Sequence, residues 1–287
     1  MQNMRSSSRG RASSKKVCPT LHSAYLQYAN DRLGKLRPKT QANYERAAKL
    51  ISITSRKNVA AYVPQDIEDL IIHLAPGAYM VARGFFSVLF GYAIEKGWRS
   101  ENPVQHVPTR QLGRIKRIPR AHVPILTELL PEPSRTVLEA MYESGQRMGD
   151  ILKLTLKNIR PKTDWPGSVN MLTLVQEKTG NPVSLPISDS LTQKLLALVT
   201  RWDDKLFHGV SAAAVRRDVR RVRKGLGAYT PHGLRKSASC EAAEGGATEA
   251  QLQALLGHKT PRMAAEYRLE ADQGRLAAAA QECRREQ

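Results

Sequence analysis

Four polar side chains able to handle a phosphate crowd into one stretch of this 287-residue chain. Thr230 to Ser237 reads T-P-H-G-L-R-K-S, so His232 and Arg235 are three apart and share a face if the segment is helical. His258 follows Arg235 by 23 residues, directly after Leu255-Leu256-Gly257, and Tyr267 follows His258 by nine. A guanidinium, two imidazoles and a phenol can together bind an anion and move its protons. Two more groups lie upstream. Arg147 and Asp150 are also three apart, which alone reads as an ordinary surface ion pair. Lys178 falls in Glu177-Lys-Thr-Gly-Asn181, where a lysine alone reads as a solvated hairpin tip.

Helix ends and turns must position these groups. Thr248 and Gln251 form a capping-box pattern that opens a helix carrying Leu252, Leu255 and Leu256. Gly257 suits its end, and Pro261 suits the first turn of the next helix. Gly145 breaks a helix that spans Pro133 to Ser144, and Arg147 begins another whose Ile151 and Leu154 point inward. Asn170–Gln176 and Val183–Ile187 read as strands around the Lys178 turn, since Val183, Leu185 and Ile187 alternate. Further helices are expected at 124–131, at 188–200 with an N-cap at Ser188, at 216–224 with six bases and one acid, and at 270–287, which is Ala-rich. The first hundred residues hold four helical patterns. Leu21, Ala24, Tyr25 and Tyr28 mark the one over 20–30. Pro38 opens the second, with Tyr44, Ala47, Ala48 and Ile51. The third runs from Pro64 to Leu74, and 78–97 is the longest, with Phe85, Leu89, Tyr92 and Ala93 as its stripe. These aromatics are expected in a core rather than as base-stacking platforms.

Composition narrows the partner. Lys and Arg total 45 against 26 Asp and Glu, a formal charge of +19, which points to nucleic acid. Gly84 to Ile94, the longest apolar run, is about half of the roughly 20 residues a membrane span needs, and no apolar signal region follows the N-terminus. Three cysteines without C-x-x-C spacing suggest a reducing compartment and no zinc. No carboxylate cluster calls for magnesium, and no glycine-rich phosphate loop is present. Residues 1–16 carry five bases and no acid and are expected to be disordered, while 106–122 place Arg110, Arg114, Lys116, Arg117 and Arg120 without an acid.

Taken together, the boxes resemble those of the tyrosine site-specific recombinases, the phage integrase family. That family carries H-x-x-R, then L-G-H, then a nucleophilic tyrosine nine residues on, matched here by His232, Arg235, His258 and Tyr267. Its first arginine box, G-x-R with an acid three residues later, is matched by Gly145, Arg147 and Asp150, with Gln146 where an apolar residue is commoner. Its hairpin lysine, in a K-T-G-like sequence, is matched by Lys178. The likeness covers Gly145 to Tyr267 by motif and Thr20 to Pro103 by position and length.

The resemblance implies a mainly α fold with a small β-sheet: a helical core-binding domain and a mixed α/β catalytic domain. The expected division is a basic arm over 1–19, the core-binding domain over 20–105, a basic linker over 106–122 that straps DNA phosphates, and the catalytic domain with a helical tail over 123–287. It implies metal-independent transesterification of duplex DNA with no cofactor. Arg147 and Arg235 would hold the non-bridging oxygens. His232 would take the phenol proton, because a tyrosine hydroxyl with an ordinary pKa near about 10 is a poor nucleophile at neutral pH. Tyr267 would capture the 3′-phosphate, Lys178 would protonate the departing 5′-oxygen, His258 would bond the phosphate or place Tyr267, and Asp150 would orient Arg147 or a histidine. The expected working unit is a homo-tetramer on recombination sites in a bacterial cytoplasm, on the nucleoid, with an accessory bending or excision factor left open. A type IB topoisomerase-like nicking-closing enzyme and a non-catalytic DNA-binding protein on the same fold are the alternatives.

Overall fold

The computed structural model describes residues 18–51, 56–162, 169–199, 205–260, 265, 267 and 273–285. Residues 1–17 of the expected N-terminal arm over 1–19, Pro261 and the start of the tail helix at 270–272 lie outside the described residues. The chain divides into two compact units between Gly113 and Arg114.

The first unit is a helical bundle. It contains α1 (Leu21–Arg32), α2 (Pro38–Ala48), α3 (Pro64–Ile71) and α4 (Pro76–Glu95). Pro38, Pro64 and Pro76 each sit at the start of their helix, where the missing N–H costs nothing. Thr20 caps α1 by accepting from the Ser23 N–H, and the Asp66 carboxylate accepts from the Val63 N–H ahead of α3. α4 is long and apolar enough to cross a membrane, yet Tyr79, Phe85, Phe86, Leu89, Phe90 and Tyr92 are buried in this bundle. Each such side chain is worth about 1.5–3 kcal/mol when taken from water, so the helix serves as the core of this bundle. The aromatics fill that core: Tyr28 meets Tyr92 edge-on with centroids 5.6 Å apart, and Phe85 lies against Tyr44 and Tyr25. Val104 and Val107 close the base of the bundle.

The second unit packs helices around a small sheet. In chain order it contains α5 (His122–Glu128), α6 (Ser134–Ser144), α7 (Met148–Ile151), β1 (Ile159–Lys162), β2 (Val169–Val175), β3 (Pro182–Ile187), α8 (Asp189–Leu196), α9 (Ala212–Val222), α10 (Pro231–Glu244), α11 (Glu249–Leu256) and α12 (Gln273–Arg285). The sheet is antiparallel in the order β1-β2-β3, with Leu172 opposite Leu185 and Leu174 opposite Val183. Sequence periodicity anticipates β2 and β3 but not β1. Its Ile-Arg-Pro-Lys run shows no alternation, and a proline is admitted because β1 is an edge strand. Ser188 caps α8 as expected, accepting from Leu191 N–H. In α9, Val215 and Val219 are buried while Arg216, Arg217, Arg220 and Arg221 are exposed, as is Lys224 just past its end.

α10 is the axis of this unit. It packs on α6, α11 and α12. The extended segment from Arg114 to Ile118 lies across it, pinned where Ile118 N–H donates to Ser237 Oγ (2.8 Å) and Ser237 donates to the Ile118 carbonyl (2.7 Å). A Cβ on Gly233 would come within 2.8 Å of the Lys116 carbonyl, so only glycine admits this approach. The buried Glu244 carboxylate, near the other end of α10, pairs with Arg117 and with Arg275 of α12.

Candidate active site

Five separated segments converge beside the C-terminal end of α6. That helix stops because Gly145 turns left-handed (φ 64°), which carries the chain across to Arg147 at the N-cap of α7. On α10, one turn from its start, Arg235 is 1% exposed, and the first-turn residue His232 is exposed. α11 begins with the Thr248–Gln251 capping box and ends at left-handed Gly257 (φ 62°), which delivers His258 into the cluster. The β2–β3 hairpin brings Gln176 and Lys178. Tyr267, in helical conformation, completes the group.

Arg235 is held rigidly. Its Nη1 donates to the Gly145 carbonyl (2.7 Å), and its Nη2 donates to the Leu256 carbonyl (2.9 Å) and reaches His258 Nε2 (3.0 Å). Because a guanidinium only donates, His258 Nε2 accepts and Nδ1 carries the proton. That Nδ1–H is buried and has no partner among the described residues. The ring of Tyr267 stacks on His258 with centroids 5.8 Å apart and planes 17° apart, and its phenol lies near enough to support the Arg235 charge.

Arg147 donates through Nη1 to Gln176 Oε1 (2.8 Å) and lies 3.9 Å from Asp150 Oδ2. Asp150 Oδ1 accepts the Glu177 N–H (2.9 Å), so this carboxylate ties α7 to the hairpin, while its Oδ2 is buried with no hydrogen bond among the described residues. Lys178, at the hairpin tip, is exposed.

The electrostatics favour an anionic guest. Two guanidinium groups, Arg235 buried and Arg147 partly exposed, have Asp150 as their nearby carboxylate among the described residues. Burial first, and then the charge of Arg147, work against the Arg235 charge, while Tyr267 and Asp150 support it. Burial, then Arg235 and Arg147, lower the His258 pKa to about 4. The His232 pKa is lowered by desolvation and by Arg235, Arg147, Lys178 and Lys236. Its ring is exposed, so the four cations are the firmer cause. Both imidazoles are therefore neutral near pH 7, which leaves His232 able to accept a proton and His258 able to donate a hydrogen bond through Nδ1.

The expected DNA-strap residues have varied surroundings. Arg110 lies over the Tyr79 ring at 4.1 Å and caps the end of α3 through the carbonyls of Ile72 and Leu74. Arg117 pairs with Glu244 (2.5 Å). Arg114, Lys116 and Arg120 are exposed. No described group of His, Cys, Asp or Glu is arranged to hold a metal ion.

Sequence reading missed Gln176, the buried amide that receives Arg147. The signal was present, since Gln176, just past the end of β2, continues the buried alternation of Leu172 and Leu174. Gln146, noted above as a polar residue at an apolar position, is 0% exposed and bonds the Leu255 carbonyl (2.7 Å) and the Gln176 amide (2.7 Å).

The sequence profile of the phage integrase family matches residues 116–273, which span every residue of this cluster. No curated protein matches the chain. Among solved structures, a lambda integrase dimer bound to a COC′ core site is similar at a TM-score of 0.72 and 23% identity, covering 87% of this chain and 77% of that one. A lambda integrase tetramer bound to a Holliday junction aligns at 0.70 and 22%, covering 88% and 78%. The Tn1549 transposon integrase in complex with circular intermediate DNA aligns at 0.69 and 14%, covering 91% and 98%. At these identities the likeness establishes the fold.

Proposed function

The chain belongs to the phage integrase family and is a site-specific recombinase acting on DNA, and on that premise we propose how its residues divide the work. Tyr267 is the nucleophile. Its oxygen bonds to the scissile phosphorus as the P–O5′ bond breaks, giving a 3′-phosphotyrosine and a free 5′-hydroxyl. The phenol proton passes to neutral His232, and Lys178 protonates the leaving 5′-oxygen. Arg147 and Arg235 hold the non-bridging oxygens, and losing one such preorganised donor typically costs roughly 2.7–4 kcal/mol of transition-state stabilisation. His258 presents Nδ1–H to the same phosphate and keeps Tyr267 against Arg235. Asp150 orients Arg147. The reverse reaction with a 5′-hydroxyl from another duplex completes strand exchange without a metal or nucleotide cofactor.

The observation that carries this assignment is the stacking of the Tyr267 ring on His258, whose Nε2 accepts from a buried guanidinium already anchored by two backbone carbonyls. Such a cation is preorganised for added negative charge and cannot follow a misplaced phosphate. We further read the first unit as the core-binding domain, and the exposed bases Arg114, Lys116 and Arg120 as contacts to backbone phosphates. Each phosphate neutralised steepens the salt dependence of binding by about 0.9. Four strands are exchanged, so the working assembly is a tetramer on DNA, as in the lambda integrase complex with a Holliday junction. The cellular setting we infer is the bacterial nucleoid, with integration and excision of a mobile element as the biological role. The nicking-closing alternative gains no observation of its own.

The test is a random-sequence pool of nicked duplexes incubated with the protein. Denaturing gels should trap a covalent adduct with wild type and none with Tyr267→Phe, which should still bind the selected duplex. An adduct that persists in Tyr267→Phe would overturn the assignment.

A further inference from the structure

The carboxamide of Gln176 has all four of its hydrogen-bonding positions filled. Oε1 accepts from Arg147 Nη1 (2.8 Å) and from Thr179 Oγ1 (2.7 Å), and Nε2 donates to Gln146 Oε1 (2.7 Å) and to the Leu256 carbonyl (2.7 Å). Two acceptor sites and two N–H groups are everything a primary amide offers. The orientation is forced, because the guanidinium can only donate. The residue is 0% exposed.

Its position is as informative as its bonds. The Gln176 backbone closes the hairpin that carries Lys178, donating to Asn181 O (2.9 Å) and accepting from Gly180 N–H (2.8 Å). Leu256 O, which it shares with Arg235 Nη2, lies two residues before His258. Gly257 packs on the amide so closely that a Cβ there would fall 2.6 Å from Nε2. One side chain thus touches or adjoins the segments that carry Arg147, Lys178, Arg235 and His258.

We propose that Gln176 is a positioning residue for catalysis: it fixes the Arg147 guanidinium relative to Arg235 and His258, with Gln146 as its brace. This rests on the assignment of Arg147 as a phosphate ligand made above. A single hydrogen bond to a neutral oxygen holds one end of the guanidinium without cancelling its charge, and leaves the other N–H donors for a phosphate. A carboxylate at this place would do the opposite. It would neutralise Arg147 and set an oxygen against the Leu256 carbonyl and Gln146 Oε1, both acceptors.

The experiment compares Gln176→Met, close in length and without hydrogen bonds, with Gln146→Met, which removes the brace but leaves Gln176 Oε1 in place to hold Arg147. Duplexes selected by the wild type carry either an ordinary phosphodiester or a neutral methylphosphonate at the scissile position. On the phosphodiester, Gln176→Met should cleave about a hundredfold more slowly and Gln146→Met about tenfold more slowly, at duplex affinity within twofold of wild type. On the methylphosphonate, which demands less cationic support, both deficits should shrink at least tenfold, as should that of Arg147→Ala. Equal deficits on the two substrates, or none, would refute the proposal. A readout free of activity uses ¹⁵N-arginine spectra of the full chain. The Arg147 Nη signals should show restricted rotation in wild type and averaging in Gln176→Met. Unchanged restriction would refute it even if Tyr267 formed no adduct. If the wild type makes no adduct while these spectra respond as expected, the fault lies with the cleavage reading and not with the role of Gln176.

Discussion

Gly257 is the sharpest point at which to perturb the cluster. It holds φ +62°, and a Cβ there would lie 2.6 Å from both Gln176 Nε2 and Val183 Cγ2. Gly257→Ala therefore incurs two costs. A left-handed conformation costs a residue with a Cβ about 1–2 kcal/mol, and forcing extra volume into a packed site costs about 1–3 kcal/mol. Gly180, in the adjoining hairpin, has φ +70° but nothing within 4 Å of its would-be Cβ. Gly180→Ala thus incurs the first cost alone, and in both variants the stiffer unfolded chain returns about 0.4–1 kcal/mol. Subtracting one from the other leaves the steric term, an excess destabilisation of about 1–3 kcal/mol for Gly257→Ala. Urea titrations of the two variants and wild type at pH 7 measure it. Cleavage of a selected nicked duplex should also fall in Gly257→Ala by at least tenfold, because the displaced amide supports Arg147, and should be near wild type in Gly180→Ala. Equal destabilisation by the two alanines, with undiminished cleavage by Gly257→Ala, would refute the close packing of this turn against Gln176.

Arg235→Lys keeps a positive charge but replaces a planar fork with a point donor that cannot span the Gly145 and Leu256 carbonyls. Cleavage should drop by about a hundredfold or more, with a smaller change in duplex affinity measured by gel shift. The folded His258 pKa, about 4, lies below its ordinary value of 6.5. The folded state therefore binds fewer protons than the unfolded chain, so stability is full above pH 6.5 and falls as pH drops toward 4. The slope should approach about 1.4 kcal/mol per pH unit at most, and it should flatten in His258→Gln when denaturant midpoints are compared at pH 7 and pH 5. Glu244→Gln should weaken the junction of the Arg114–Ile118 segment and α12 with α10, at a cost of about 1–2 kcal/mol because both arginine partners are partly exposed. Limited proteolysis after Arg117 and before Arg275 should then speed up, while adduct formation at saturating DNA should persist.

Local rules were enough to read much of this protein from its sequence. The capping box at Thr248, the left-handed stop at Gly257, the Ser188 cap and the alternating β3 face each depend on a few neighbouring residues, so their signals survive in one dimension. The spacing of His232, Arg235, His258 and Tyr267 is equally local, and with Arg147 and Lys178 it carries the resemblance to the recombinase family that the match over 116–273 bears out. The edge strand β1 left no such trace, because its place is set by β2 beside it and not by its own four residues. Tertiary structure alone decided how the boxes talk to one another. No spacing rule states that Arg235 threads between the Gly145 and Leu256 carbonyls, that its contact fixes the His258 tautomer, or that Gln146 and Gln176 form one amide pair under Arg147. Those bonds join residues from 21 to 90 positions apart, and hydrogen bonding is a matter of distance and direction in space, to which chain separation is blind.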